Sequence, residues 1–241
     1  KFNEELITFC KYKKNTNNIN NQWTQIWDLP ISNLKNEFNG KFVYLFVGQN
    51  HLLRKKIDRL LIAFSMLLSS QQMKDRIHLH LHCQPQSTTG LDLLELSNRL
   101  GIQENVSFSY GTWRSSGWSE QALSILYNLS DVFVSSTSSE GFGLCHLESM
   151  SCGIPQVVPN NTSLTELIGI NESNKRGLFA KINDSDILID MTRRQLVDIS
   201  DLSIQMKEMY TNEKLRESCL KNAIEFVKPH TWNQIAKKWD K

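Results

Sequence analysis

Asp131-Val132-Phe133-Val134, then Ser139-Glu140-Gly141-Phe142-Gly143-Leu144-Cys145-His146-Leu147-Glu148, then Gly153-Ile154-Pro155-Gln156-Val157-Val158, make up the stretch on which the reading of this chain turns. A short apolar strand runs into a glycine loop, the loop into a helix, and the helix through a Gly-Ile-Pro turn into a second strand. In a parallel sheet the loop leaving the carboxyl end of a strand faces the ligand crevice, and the helix after it directs free backbone N–H groups at whatever lies there. Glu140 falls in that loop, and Glu148 about one and a half turns into the helix. Gly141 and Gly143 permit close backbone approach, the helix start favours an anion, and each carboxylate can accept hydrogen bonds from vicinal hydroxyls. The pattern suits a phosphate-bearing ligand with hydroxyls at its two ends. The plainer alternative is a solvated loop acid plus a helix-face glutamate.

The same alternation extends outward in both directions. Phe42 to Val47 is a continuous apolar run suited to a strand buried on both faces. From Lys56 to Ser70 the apolar residues Ile57, Leu60, Leu61, Phe64, Leu67 and Leu68 follow the helical period. Arg76 to His82 reads as a strand, Leu91 to Leu100 as a helix ended by Gly101, Asn105 to Phe108 as a strand, and Ser119 to Leu129 as a helix. Strands separated by helices of this length imply right-handed crossovers, hence an α/β, doubly wound, Rossmann-like parallel sheet. Leu202 to Phe226 is helical with a break near Thr211-Asn212, and Pro229-His230-Thr231-Trp232 opens a last short helix. Residues 1–40, Asn-rich and then broken by Pro30, read as an extension or linker; 41–226 form the main domain and 227–241 a closing helix.

Composition bounds the function class. The 241 residues are 40% hydrophobic, enough for a sizeable core, and the net charge of +2 argues against a nucleic-acid binder relying on bulk positive charge. Five cysteines, odd in number and widely spaced, read as reduced thiols in a cytoplasmic setting. No stretch approaches the roughly 20 apolar residues that span a bilayer, and Lys1-Phe2-Asn3-Glu4-Glu5 is no signal peptide. The chain begins with Lys rather than Met, so a longer natural protein is one expectation.

Glu140 to Glu148, followed by Ser149-Met150-Ser151-Cys152-Gly153-Ile154-Pro155-Gln156-Val157-Val158, resembles the "E…GFG…xE-A-M-A-x-G-x-P-V-V" signature of family 4 retaining glycosyltransferases of the GT-B fold. Phe42 to Asp58, with Val47-Gly48-Gln49 and Arg54-Lys55-Lys56, resembles that family's "fl-x-VGR…(R)KG-x-d" strand and loop. The resemblance covers roughly residues 41–240 and implies the carboxy-terminal, donor-binding half of such an enzyme. By position it assigns Lys55 to the donor diphosphate with Arg54 beside it, Glu140 to the donor sugar, and Glu148 to the ribose hydroxyls. These make Glu140, Lys55 and Arg54 the candidate catalytic groups. Gly48, Gln49, Gly141, Phe142, Gly143, Leu144 and Glu148 are candidate donor contacts, and Tyr110, in the loop Phe108-Ser109-Tyr110-Gly111, is the candidate for the base.

The chemical reason for a lysine is that cleaving the sugar–phosphate bond leaves added negative charge on the β-phosphate, which a fixed cation stabilises without a metal. Gln49 departs from the family, which has arginine there; glutamine donates a hydrogen bond but forms no charge-assisted clamp. Either Arg54 substitutes in part, or diphosphate stabilisation is weaker, or catalysis is lost.

Two other patterns invite metal readings. His78, His80 and His82 alternate onto one strand face, but no second ligand cluster lies near them in sequence. Asp184-Ser185-Asp186 is a D-x-D whose setting instead favours a helix cap or turn. We expect no metal and no cofactor, with a nucleotide diphosphate sugar, UDP- or GDP-linked, as donor substrate. An amino-terminal acceptor domain, or a partner subunit supplying it, is expected outside this chain, which alone should bind donor and transfer poorly. The alternative is a non-catalytic or split-subunit nucleotide-sugar binding module. A dinucleotide oxidoreductase is disfavoured because no G-x-G-x-x-G follows the first strand.

Overall fold

The computed structural model describes residues 29–109, 118–169, 171–187 and 191–239. Six parallel strands form the main sheet: β1 (Phe42–Val47), β2 (Ile77–His82), β3 (Val106–Phe108), β4 (Val132–Val134), β5 (Gln156–Pro159) and β6 (Gly177–Ala180), in the order β3-β2-β1-β4-β5-β6. The sheet is the doubly wound α/β type expected. Its order reverses between β1 and β4, which pair through Tyr44 with Val132 and Leu45 with Phe133. At such a switch point the loops leaving the two strands diverge and leave a crevice.

Alternation along β1 assigns the two faces. Tyr44 and Phe46 join Leu60, Leu61 and Phe64 of α3 (Ile57–Leu67), together with Leu202 and Met206 of α9 (Ile199–Thr211). The Tyr44 hydroxyl donates to the Met206 carbonyl at 2.7 Å, which satisfies a buried polar group. Val43, Leu45 and Val47 face the other way, with Phe133, Leu126, Tyr127 and the α1 (Leu29–Phe38) residues Leu34 and Phe38. The packed unit thus extends amino-terminal to Lys41.

On β2, Ile77, Leu79 and Leu81 share the first face and His78, His80 and His82 the second. The three imidazoles interleave with hydroxyls of the neighbouring strand and its exit: Ser107 Oγ lies 2.7 Å from His78 Nε2 and 2.9 Å from His80 Nδ1. Ser109 Oγ lies 2.9 Å from His80 Nε2 and 2.7 Å from His82 Nδ1. Among the described residues no group of three His, Cys, Asp or Glu side chains is arranged to hold a metal ion.

Two features depart from the sequence expectation. The helical period from Lys56 is broken at its start: a short α2 (Leu52–Lys55) is joined to α3 by Lys56, held in the left-handed region at φ 48°, ψ 45°. A left-handed non-glycine residue costs about 1–2 kcal/mol. The Lys56 ammonium lies 2.5 Å from Asp186 and so ties the joint to a distant segment. The D-x-D residues are neither cap nor turn. They lie in β7 (Ile182–Ile187), which pairs antiparallel with β8 (Arg193–Val197) in a separate hairpin. A non-local partner strand supplied the hydrogen bonds that local turn chemistry was expected to supply.

The carboxy-terminal helices follow the hairpin. After α9 come α10 (Glu213–Val227), capped by the Asn212 side chain, and α11 (Trp232–Trp239). Trp232 and Trp239 of α11 are exposed. No helix among the described residues is long and apolar enough to cross a membrane.

Candidate donor site at the switch point

The crevice between β1 and β4 is built by two loops that hold each other. The hydroxyl run after β4 reaches back to α2: Ser136 Oγ donates to the carbonyls of Lys55 (3.1 Å) and Lys56 (2.7 Å), Thr137 Oγ1 to that of Arg54 (3.2 Å), and the Ser138 N–H to that of Arg54 (2.8 Å). Carbonyls in the last turn of a helix have no partner within it, and here side chains from another loop supply one. The backbone carrying Arg54 and Lys55 is thereby fixed beside Glu140. A Cβ on Gly48 would lie 3.0 Å from Phe46 Cζ and 3.3 Å from Lys55 Cε, so glycine there leaves room for the lysine stem.

Glu140 is anchored from the β5 side, its N–H donating to Thr162 Oγ1 at 3.0 Å while Ser163 Oγ donates to its carbonyl at 3.1 Å. Its carboxylate receives Lys55 Nζ at 2.5 Å and Arg54 NH1 at 3.2 Å from each oxygen. The Lys55 and Glu140 side chains are only 6% and 9% exposed. Burial pushes the Glu140 carboxyl up, but the hydrogen bond and charge of Lys55, with Arg54 behind it, overcome that, and the net shift is downward.

Next in the chain come Gly141 and Phe142, both exposed, and Gly143 at φ 91°, the residue before α7 (Leu144–Ser151). A Cβ on Gly141 would meet nothing within 4 Å; one on Gly143 would press Leu167 Cδ1 at 3.0 Å and His146 at 3.2 Å. Phe142 and Leu144 are 50% and 55% exposed at the mouth of the crevice. Gln49 is exposed, between Gly48 and the buried Asn50 in the loop after β1.

Glu148 stands on α7, half-buried, with the Tyr127 hydroxyl donating to its Oε2 at 2.9 Å from α6 (Glu120–Asn128). Burial raises the Glu148 carboxyl; the Tyr127 hydrogen bond offsets this only in part, and Glu120 adds to the rise. Tyr127 escaped the sequence reading because nothing in its spacing separates it from a core aromatic. His146, one turn before Ser149, is fully buried with Nδ1 3.0 Å from Gln156 Oε1, and burial lowers its pKa to about 4. Phe108 and Ser109 are buried, the latter between His80 and His82; Tyr110 and Gly111 lie outside the described residues.

The two sequence motifs therefore converge on one crevice. Lys55, Arg54 and Glu140 are in contact, Gly48 lies against the Lys55 stem, and Gly141 to Leu144 follow Glu140 directly, with Glu148 the next acid along α7. Against known proteins, the family model described as "Glycosyl transferases group 1" matches residues 31–226. The chain belongs to this family.

Among curated relatives of this group 1 glycosyltransferase, the serotype-specific mannosyltransferase WbdA of Escherichia coli is 34% identical over 117 residues, covering 48% of this chain and 13% of the relative. The O-antigen chain mannosyltransferase B of Escherichia coli is 41% identical over 81 residues, covering 34% of this chain and 20% of the relative. Mannosylfructose-phosphate synthase of Agrobacterium fabrum is 30% identical over 183 residues, 74% of this chain and 34% of the relative. The matched segments thus cover between 13% and 34% of the length of these relatives.

Solved glycosyltransferase structures share the fold. One from Rickettsia africae aligns with TM-score 0.66 at 14% identity, covering 95% of this chain and 52% of that one. The carboxy-terminal domain of a group 1 family protein, LpcC, from Francisella tularensis aligns with TM-score 0.60 at 15% identity, covering 80% of this chain and 90% of that domain. The architecture is that of the carboxy-terminal half of a GT-B glycosyltransferase.

Proposed function

We propose that this chain is the donor-binding domain of a retaining, family 4-type glycosyltransferase that holds a nucleotide diphosphate sugar across the β1/β4 crevice without a metal. The observation that carries this reading is the Arg54–Lys55–Glu140 cluster, two cations and one carboxylate packed at the switch point beside a helix start. Lys55 and Arg54 take the diphosphate, with the amides of Gly141, Phe142 and Gly143 around it; Glu148 accepts hydrogen bonds from the ribose; Glu140 faces the donor sugar. When the bond between C1 and the β-phosphate oxygen breaks, its electron pair leaves with the phosphate, and the two cations stabilise the charge that develops there. The mannosyltransferase names of the relatives favour a mannosyl donor, for which GDP is tested first and UDP second.

An acceptor domain or partner subunit completes the cleft. No disulfide joins the cysteines among the described residues, which fits a reducing, cytoplasmic setting. A second reading, donor binding without transfer, is favoured by one observation: an uncharged, exposed Gln49 stands where the resembling enzymes have arginine. Calorimetric titration with GDP, UDP and ADP tests the first reading, and binding of none of them overturns it. Sugar transfer by the protein carrying its natural upstream sequence separates the first reading from the second.

A further inference from the structure

A cleft of about 740 Å³ lies between Ser138 and Ser139 of the Glu140 loop, Thr162 and the β7–β8 hairpin. Its wall adjoins the candidate donor site: Ser139 directly precedes Glu140, and Thr162 accepts the Glu140 N–H at 3.0 Å. The hairpin wall is braced at two points, by the Lys56–Asp186 ion pair at 2.5 Å and by an Arg194 hydrogen bond to Ser139 Oγ. We propose that this cleft is a saccharide subsite that seats a sugar ring of the acceptor next to the donor sugar at Glu140. It rests on the donor-site reading above.

The lining chemistry selects the ligand class. Ser139, Thr162, Asn183, Gln195, Asp184 and the pair Arg193 and Arg194 line the same space with hydroxyls, amides, one carboxylate and two guanidiniums. Such a mixture of donors and acceptors matches vicinal ring hydroxyls, each of which both donates and accepts. The aliphatic Ile182 offers a sugar face a small apolar contact, and two guanidiniums against one carboxylate suit a phosphorylated as well as a neutral sugar. A neutral glycan and a phosphorylated sugar share the ring hydroxyls, and the test below distinguishes them.

Saturation-transfer NMR on the whole chain, with mannotriose and separately mannose 6-phosphate, reads the site directly. Millimolar binding of mannotriose identifies a neutral glycan; binding of mannose 6-phosphate alone identifies a phosphorylated one. In either case Gln195→Ala, on an exposed strand position, and Arg194→Gln weaken the signal at least fivefold while their melting curves show the fold retained. No saturation of either sugar, saturation unaffected by both substitutions, or full displacement by inorganic phosphate overturns the subsite. GDP and UDP titrations of the same samples report the donor site separately: failure of the donor reading abolishes nucleotide binding, whereas failure of this one leaves it intact.

Discussion

Lys55 Nζ and Glu140 Oε1 lie 2.5 Å apart, joining the loop after β1 to the loop after β4 through side chains that are almost fully buried. A desolvated pair of this kind contributes little net stability when intact, yet removing one partner strands the other charge. The pair also occupies the place where the proposed diphosphate needs a cation. On the proposed reading a ligand phosphate shares both Lys55 and Arg54 with Glu140, since Arg54 lies 3.2 Å from both carboxylate oxygens, rather than meeting bare cations.

Substituting Lys55→Met leaves Glu140 with Arg54 alone. Urea denaturation at pH 7 should show a loss of about 3 kcal/mol, the lower end of the range for an orphaned buried charge, because Arg54 remains. The double variant Lys55→Met/Glu140→Gln should recover part of that loss. Nucleotide affinity should fall at least tenfold in both. Unchanged stability in the single variant would show the pair to be solvated.

Glu148→Ala should weaken GDP or UDP binding by about 1.5–3 kcal/mol, the worth of hydrogen bonds to a charged acceptor. Tyr127→Phe keeps the carboxylate but removes a group that lowers its pKa, so the pKa, already raised by burial, should rise further. Only the ionised carboxylate accepts from two hydroxyls, so affinity falls as pH drops through that pKa, and in Tyr127→Phe the fall should begin at higher pH. Calorimetry across pH 5 to 8 reads both; superimposable profiles would remove Tyr127 from the site.

The two loop glycines should part company. Gly141→Ala points its methyl into open space, so stability should stay within about 0.5 kcal/mol while nucleotide affinity drops if the backbone approaches the ligand. Gly143→Ala forces an alanine into φ 91° and against Leu167 and His146, and should cost about 1–3 kcal/mol of stability whatever its effect on binding. Equal melting temperatures for the two variants would contradict this loop geometry.

Acid should destabilise the fold through its buried imidazoles. Burial lowers His82 and His146 to about 4 and His80 well below its usual value, whereas in the unfolded chain all three titrate near 6.5. The unfolded state therefore binds more protons in the window between about 6.5 and 4, and stability falls as pH falls through it, by up to about 1.4 kcal/mol per pH unit for each histidine. Denaturant midpoints at half-unit steps check this, and a flat profile would falsify it.

Some elements were legible from local pattern. β1 reads as a buried strand from Phe42 to Val47 because every residue is apolar, and α7 reads as a helix because Gly143 and Gly153 bracket it. β6 and the hairpin were missed because their identity rests on pairing, Gly177–Ala180 with β5 and Ile182–Ile187 with β8. In the hairpin Asp184 and Asp186 disfavour a strand locally, and Arg193–Val197 supplies the partner only after the chain turns back. The hydroxyl run Ser135–Ser139 carried a signal that spacing could not decode, since its acceptors are carbonyls some eighty residues earlier.

By itself the sequence determined the fold class, because hydrophobic period and glycine placement are local properties of the chain, and its two motifs singled out candidate groups. It named Lys55, Arg54, Glu140 and Glu148 without showing which of them touch. Only the tertiary structure decided that Lys55 and Arg54 close on Glu140, that Tyr127 holds Glu148, and that a hairpin walls a second cleft beside them. Those contacts join residues far apart in the chain, and their geometry is set by how strands pair and helices pack, which no local pattern encodes.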